Sequence, residues 1–107
     1  MSIDDVILDA AYEVYEEFGP ARRIPRRDRL HQQYPLLTEG EMDTLMNEMK
    51  EISKTVWSIA EIGGEAKIGK DKIIALLRAR HAYLKAGGLT RATFMVNYLA
   101  THEGYDR

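Results

Sequence analysis

The sequence contains no cysteine among its 107 residues. This excludes disulfide bonds, thiol nucleophiles and zinc or iron–sulfur sites ligated by cysteine. The chain also lacks any run of about 18 apolar residues, so we expect no membrane-spanning segment. Its first residues are acidic, where a secretory signal would be basic and then apolar. Together these absences predict a cytoplasmic protein with no membrane partner.

The composition is that of an ordinary folded domain. Hydrophobic residues make up 45% of the chain and charged residues 30%, which argues against intrinsic disorder. A chain of this length is typical of one domain, so we expect residues 1–107 to fold as a single helical unit.

The longest regular pattern lies between Thr38 and Ile62 and predicts one long helix. Thr38 and Glu41 form a capping box at its start, and Gly63–Gly64 is a stop signal after its end. At 1.5 Å per residue such a helix is roughly 37 Å long, so other helices must pack along it. Its apolar residues recur every three or four positions and form one face: Met42, Leu45, Met49, Ile52, Val56 and Ile59.

Shorter helices are predicted on both sides of the long one. The first runs over residues 3–18, is capped by Ser2 and ends at Gly19–Pro20. The second is a short helix from about Pro25 to Tyr34. We expect residues 63–69 to form a loop. The buried face of the first helix is predicted to contain Ile3, Val6, Ile7, Ala10, Ala11, Val14 and Phe18.

The chain after this loop is expected to form two helices. The first runs over about residues 70–85, and Gly87–Gly88 separates it from a last helix over about 90–102. Between positions 92 and 100 only Thr93 and Asn97 are not apolar. A helix that is apolar all round is buried, either at the centre of a bundle or in a subunit interface. The predicted fold is therefore an all-α compact bundle of about five helices, organised around 38–62 and a buried 90–102.

An arginine-rich segment follows the first helix and is the sharpest chemical feature. Guanidinium groups bind phosphate or carboxylate with two parallel hydrogen bonds, so the segment is a candidate anion- or partner-binding site. Alternatively, the arginines pair with residues 1–19, which carry six acids and no base, and with the acidic start of the long helix. No aromatic residue is interleaved to stack bases, which favours internal pairing. The segment contains Arg22, Arg23, Arg26, Arg27 and Arg29.

The residues from Gly64 to Lys70 match the first seven positions of a phosphate-binding P-loop. The next residue is Asp71 instead of the serine or threonine that holds magnesium, and a helix precedes the motif where a strand is needed. We therefore expect no nucleotide hydrolysis. Weak anion binding by Lys67, Lys70 and Lys72 remains an alternative to a glycine-rich connector with a solvated basic rim.

The three histidines, His31, His81 and His102, do not form an H-x-x-x-H pair or an H-E-x-x-H motif. We therefore expect no metal and no cofactor. His81 and His102 would form an acid–base cluster with Glu103 if the last two helices brought them together. Alternatively, His102 lies at the negative C-terminal end of its helix, where a cation is favoured.

The wide apolar face of the long helix and the apolar last helix offer more surface than a small bundle readily covers. We therefore predict a small non-enzymatic protein-interaction or regulatory module that forms a homo-oligomer or binds another protein. No catalytic residue is assigned in this prediction. One alternative is a nucleic-acid-associated protein that uses residues 22–29, and another is a small enzyme that uses His81, His102 and Glu103.

Overall fold

The computed structural model describes residues 3–17 and 23–106 of the chain. Six helices and no strand occur within these residues, so the predicted all-α bundle is confirmed. The helix beyond the expected five is a single turn, Glu65–Ile68, within the predicted 63–69 loop. The six are α1 (Asp5–Tyr15), α2 (Arg26–Gln33), α3 (Glu39–Ile62), α4 (Glu65–Ile68), α5 (Lys70–Arg80) and α6 (Ala86–His102).

The long helix α3 has the boundaries and caps that its sequence predicts. Thr38 Oγ1 accepts from the Glu41 amide at 3.1 Å, and Glu41 Oε1 accepts from the Thr38 amide at 2.9 Å. The helix ends before Gly63, whose φ of 120° lies where residues with side chains are strained. All six residues of the predicted apolar face are buried. Helix α3 is therefore the element along which the others pack.

One hydrophobic core joins the helices. Helix α6 packs against α1, α3 and α5, while α1, α2 and α5 also pack against α3. None of the described helices is both long enough and apolar enough to cross a bilayer. The largest fully buried side chains are Tyr12, Leu30, Met42, Leu45, Met49, Ile52, Ile73, Leu77, Leu84, Val56 and Val96.

The last helix, α6, starts earlier than the sequence predicts. Gly87 and Gly88 lie within its first turn, and the helix begins at Ala86 instead of near Thr90. No residue at the start of α6 caps it with its own side chain. Instead, Asp9 of α1 accepts from the amides of Lys85 at 2.6 Å and Gly88 at 3.0 Å. A carboxylate from another helix therefore satisfies the first turn and holds the two glycines in helical conformation.

The buried face of α1 also differs from the prediction. Val6 is 69% exposed, and the buried residues are Leu8, Ala11, Tyr12 and Tyr15. Apolar residues occur on two sides of this helix, and its packing against α3 and α6 selects the side that carries the tyrosines. The helix is capped by Asp4, which accepts from the Val6 amide at 2.8 Å. The predicted signals at Ser2 and Gly19–Pro20, and Phe18, lie outside the described residues.

Helix α5 is shorter than predicted, since it ends at Arg80 and not near Lys85. His81 leaves the helix, and a turn follows in which the Leu84 amide donates to the His81 carbonyl at 3.0 Å. Leu84 is fully buried and reaches the core from this turn, not from the helix. The short α2 agrees closely with its prediction, because Pro25 precedes it and Tyr34 ends it.

Candidate functional site

Two of the arginines bind the C-terminal end of α1. Arg29 Nη2 donates to the Tyr15 carbonyl at 2.9 Å, and its Nη1 donates to the Glu17 carbonyl at 3.4 Å. Arg26 Nε also donates to the Tyr15 carbonyl, at 3.1 Å, and its guanidinium lies 4.6 Å from the centre of the Tyr15 ring. The last carbonyls of a helix have no partner within it. The two guanidiniums supply those partners.

Arg27 lies on the other side of α2 and contacts the start of α3. Its guanidinium forms ion pairs of 2.8 Å with both Glu39 and Asp43, which raise the pKa of Arg27. Arg26, through Glu16, and Arg27 thus form ion pairs of the kind that the pairing alternative describes, whereas Arg29 binds main-chain carbonyls. Arg23 is exposed, and Arg22 lies outside the described residues.

A surface depression of about 440 Å³ lies beside these arginines. Arg23, Arg26 and Arg29 line it together with the carboxylates of Glu16 and Glu17. Because both signs of charge face the same space, the depression is not a simple anion site. Its basic groups face acids or already bind helix carbonyls.

The predicted lysine site is spread over an exposed surface. Lys67 lies on α4, Lys70 and Lys72 lie on α5, and all three are exposed. The P-loop-like residues do not form a phosphate cradle, because α4 occupies their middle. The turn is instead held to α6 by Asn97, which accepts from the Glu65 amide and donates to the Glu65 carboxylate, both at 3.0 Å. These contacts agree with the connector alternative.

The structure does not bring the three predicted acid–base residues together. His81 is buried beside Thr55 and Tyr83, whereas His102 is exposed and stacks on Tyr98 with ring centres 4.0 Å apart. Glu103 follows α6 and is exposed. Residues 3–17 and 23–106 contain no group of three or more histidines and carboxylates that could hold a metal ion.

His81 is held by a hydrogen bond whose direction follows from its neighbours. The Thr55 hydroxyl donates to the Glu51 carbonyl at 3.2 Å, so its oxygen is left to accept from His81 Nε2 at 2.8 Å. Burial lowers the pKa of His81, and the nearby Arg80 acts in the same direction, while Glu48 and Glu51 oppose both. The neutral imidazole with its proton on Nε2 is the form that fits this position.

We expect the free energy of unfolding to fall as the pH drops below neutrality because of His81. Its pKa in the folded protein is lower than the unfolded value of about 6.5. The unfolded chain therefore binds more protons between these two values, and acid favours unfolding. The loss begins as the pH falls through about 6.5 and ends below the folded pKa. Urea unfolding at a series of pH values measures this slope.

A His81→Gln variant provides the comparison, because its amide keeps a donor for Thr55 and does not titrate. This variant should lose stability less steeply between neutral pH and about pH 5. Replacing the exposed His31 by glutamine is the matched control and should keep the slope of the parent protein. Equal slopes in the parent and His81→Gln proteins would contradict the assignment.

An exposed row of rings on α6 is a feature that the sequence analysis missed. Phe94, Tyr98 and His102 follow one another at intervals of four residues and stack along the helix surface. Phe94 is 50% exposed and Tyr98 is 37% exposed. Their spacing is visible in the sequence, but the surrounding apolar residues made the whole helix look buried. We call these three residues the α6 face.

A second cavity lies beside the α6 face, between α1, α3 and α6. It measures about 270 Å³, and Trp57 lies at its wall with 41% of its surface exposed. Trp57 lies outside the six-residue apolar face of α3. This flank of α3 is only partly covered, by Met95 and Leu99 of α6. Glu16 forms the charged part of this cavity.

Comparison of the chain with protein-family models, with curated protein sequences and with solved structures finds no match. Any function must therefore be argued from the surface of this molecule. Its described features are an arginine segment with mainly internal contacts, an exposed aromatic helix face and a small cavity that contains a buried carboxylate.

Proposed function

We propose that this protein is a small, non-enzymatic cytoplasmic interaction module that forms a homodimer through the α6 face. The observation that carries the proposal is the exposed row of Phe94, Tyr98 and His102. Aromatic side chains are rarely displayed together on a monomer surface, and they provide much of the binding energy in protein interfaces.

The geometry of the rings supports a contact with another protein. The centres of Phe94 and Tyr98 are 6.3 Å apart with planes inclined by 21°, and the Tyr98–His102 pair is closer. Each ring is thus restrained by its neighbour before any partner binds. Little side-chain entropy remains to be lost on association, which favours binding. Met95 and Leu99, half-buried beside these rings, extend the apolar surface.

The distribution of charge favours a second copy of the chain as the partner. Arg91 lies one turn before Phe94 on the same side of α6 as the rings, and its guanidinium is 5.9 Å from the centre of the Phe94 ring. In an antiparallel pair of α6 helices centred on Tyr98, Arg91 would lie roughly 10 Å from the centre and the C-terminal end of α6, at His102, roughly 6 Å on the opposite side. Each arginine then lies near the end of the other copy's α6, where the helix dipole is negative. A two-fold axis produces this contact twice.

Light scattering coupled to size-exclusion chromatography tests the dimer. The parent protein should approach a mass of two chains as its concentration rises from about 1 μM to about 200 μM. Tyr98→Ser should weaken association at least about tenfold, because it removes the central ring. Leu36→Ser is the matched control, since Leu36 is 95% exposed but lies before α3, away from α6. It should leave the mass unchanged.

A change of charge at Arg91 tests the antiparallel arrangement separately. Arg91→Glu should weaken the dimer, because it places a negative charge near the negative end of the other copy's α6, whereas Arg91→Lys should retain most of the affinity. A mass of one chain across the whole concentration range would contradict the proposal. Association that Tyr98→Ser leaves unchanged would place the interface elsewhere and also contradict it.

The alternatives from the sequence receive less support. A nucleic-acid role through residues 22–29 requires guanidiniums that face outward, whereas Arg26 and Arg29 bind the end of α1 and Arg27 binds the start of α3. Oligonucleotide binding that weakens steeply with salt would favour that role instead. An enzymatic role for His81, His102 and Glu103 lacks a common cleft in which they could act.

A further inference from the structure

Glu16 is an acidic residue with unusually little exposure to solvent. It lies just after α1 and is only 8% exposed, although carboxylates are seldom buried without strong partners. Its two side-chain contacts are Ser53 Oγ at 3.3 Å and Arg26 Nη2 at 3.5 Å. Both are long for hydrogen bonds to a carboxylate. Burial raises the pKa of Glu16, and the nearby Arg26 only partly opposes this effect.

A buried polar group without a hydrogen-bond partner, the Tyr12 hydroxyl, lies near Glu16. The Tyr12 hydroxyl is sealed from solvent and makes no hydrogen bond that satisfies ordinary geometry, although Ser53 is close enough to lower its pKa. Burial outweighs that influence and raises the pKa of Tyr12 far above its usual value. Buried polar groups are normally satisfied, so an exception needs an explanation. Here two under-satisfied groups line the same cavity.

The cavity combines these polar groups with apolar and aromatic walls, and Arg26 and Ser53 also line it. A donor group entering it would have the Glu16 carboxylate to bind, and an attached hydrocarbon would contact the side chains around it. A purely apolar molecule would leave the carboxylate without a further donor. The apolar and aromatic walls are formed by Tyr15, Val56, Trp57, Met95 and Leu99.

We propose that this cavity binds a small primary amine with a compact apolar body, whose ammonium group lies against Glu16 and whose body lies against Trp57 and Leu99. An ammonium has three donors, enough to bind the carboxylate and neighbouring oxygens. Tyr15 and Trp57 add favourable aromatic faces for a cation. Arg26 already makes such a contact with Tyr15 and lines the same cavity, so the bound ammonium would share the Glu16 carboxylate with the half-exposed Arg26 side chain.

The cavity volume limits the size of the ligand. Pockets for drug-sized molecules usually measure about 300–1,000 Å³, and this one, at about 270 Å³, lies just below that range. One six-membered ring with a methylamine group is therefore a suitable probe. The evidence for this inference does not rest on the proposed dimer, since Glu16 follows α1 and Ser53 lies on α3, although Met95 and Leu99 border both the cavity and the α6 face.

The only tryptophan of the chain, Trp57, reports on the cavity. We would titrate the protein at neutral pH with cyclohexylmethylamine and follow Trp57 fluorescence. The neutral analogue cyclohexylmethanol, which has nearly the same shape, would be titrated in parallel. Saturable binding of the amine with a Kd below about 1 mM is expected, with the alcohol at least about tenfold weaker. Equal responses to the two molecules, or no saturation by the amine, would overturn the proposal.

Two variants locate the bound amine. Glu16→Gln keeps the shape of the side chain but removes its charge, so the preference for the amine should disappear. Glu61→Gln removes the charge of an exposed glutamate and is the control, which should keep the preference for the amine. Leu99→Phe places extra volume in the cavity and should abolish binding of both molecules, with urea unfolding used to verify the fold. Unchanged amine binding in both Glu16→Gln and Leu99→Phe would also overturn the proposal.

Discussion

Replacing Gly88 by alanine should destabilise the protein by about 1–3 kcal/mol, the range expected when a tightly packed site receives an extra carbon. A Cβ at this position would lie 2.5 Å from Asp9 Oδ1, 2.6 Å from Leu84 Cδ2 and 2.9 Å from the Asp9 carbonyl oxygen. The side chains can move, but the carbonyl belongs to α1 itself. Helices α1 and α6 would have to separate. Urea unfolding followed by circular dichroism measures the loss.

The neighbouring glycine supplies a matched control. A Cβ at Gly87 would lie 3.0 Å from Oε1 of the exposed Glu13, whose side chain can swing away, and at an ordinary contact distance of 3.8 Å from Asp9 Oδ2. Alanine favours helix over glycine by roughly 0.5–1 kcal/mol, so Gly87→Ala should be neutral or stabilising. Equal losses in the two variants would mean that helix geometry, and not the approach of α1, governs this turn.

A double variant separates the collision of the Gly88→Ala Cβ with the Asp9 carboxylate from its collision with the Asp9 carbonyl oxygen. Asp9→Ala removes the carboxylate that would collide with a new Cβ, but it also removes the cap of α6. Because the Asp9 carbonyl oxygen remains, Gly88→Ala should still destabilise the Asp9→Ala protein, by less than it destabilises the parent. Full additivity of the two changes would contradict a shared contact.

Helix α3 could be predicted from sequence because its signals are local. The capping box, the apolar spacing and the glycine stop all lie within the helix or next to it, and each agrees with the others. The start of α6 could not be predicted in this way. Local rules assign a break to Gly87–Gly88, but the group that caps this turn, Asp9, is 79 residues away from Gly88 in the chain. Only the packing of α1 against α6 brings it there.

For the arginine segment and the α6 face, too, only part of the structure could be predicted from the sequence. Blocks of opposite charge allowed an internal pairing to be predicted, and Arg27 with Glu39 has that form. Arg29, however, binds main-chain carbonyls, which carry no signal in the sequence. The exposure of Phe94 and Tyr98 depends on which side of α6 the other helices cover. The apolar pattern indicates that α6 is packed, but it does not identify the side that remains at the surface.

Replacing Arg29 by alanine should cost about 2–3 kcal/mol of stability, since hydrogen bonds from charged groups contribute about 1.5–3 kcal/mol and the site is buried. Arg29 is 6% exposed, and burial lowers its pKa. Its loss would remove a donor from the Tyr15 carbonyl and the Glu17 carbonyl and leave a hole between α1 and α2. Arg29→Lys should recover only part of the loss, because one ammonium cannot match the planar fork.

Arg27→Ala is the control that distinguishes a buried cap from a surface ion pair. Arg27 contacts Glu39 and Asp43, whose side chains are 76% and 66% exposed. Salt screens such exposed pairs, so the effect of Arg27→Ala should be small and should shrink as salt is added. The loss in Arg29→Ala should persist at high salt, because buried contacts are screened much less. If the two variants lost similar stability with the same salt dependence, Arg29 would be a surface charge, and the end of α1 would be held by other contacts.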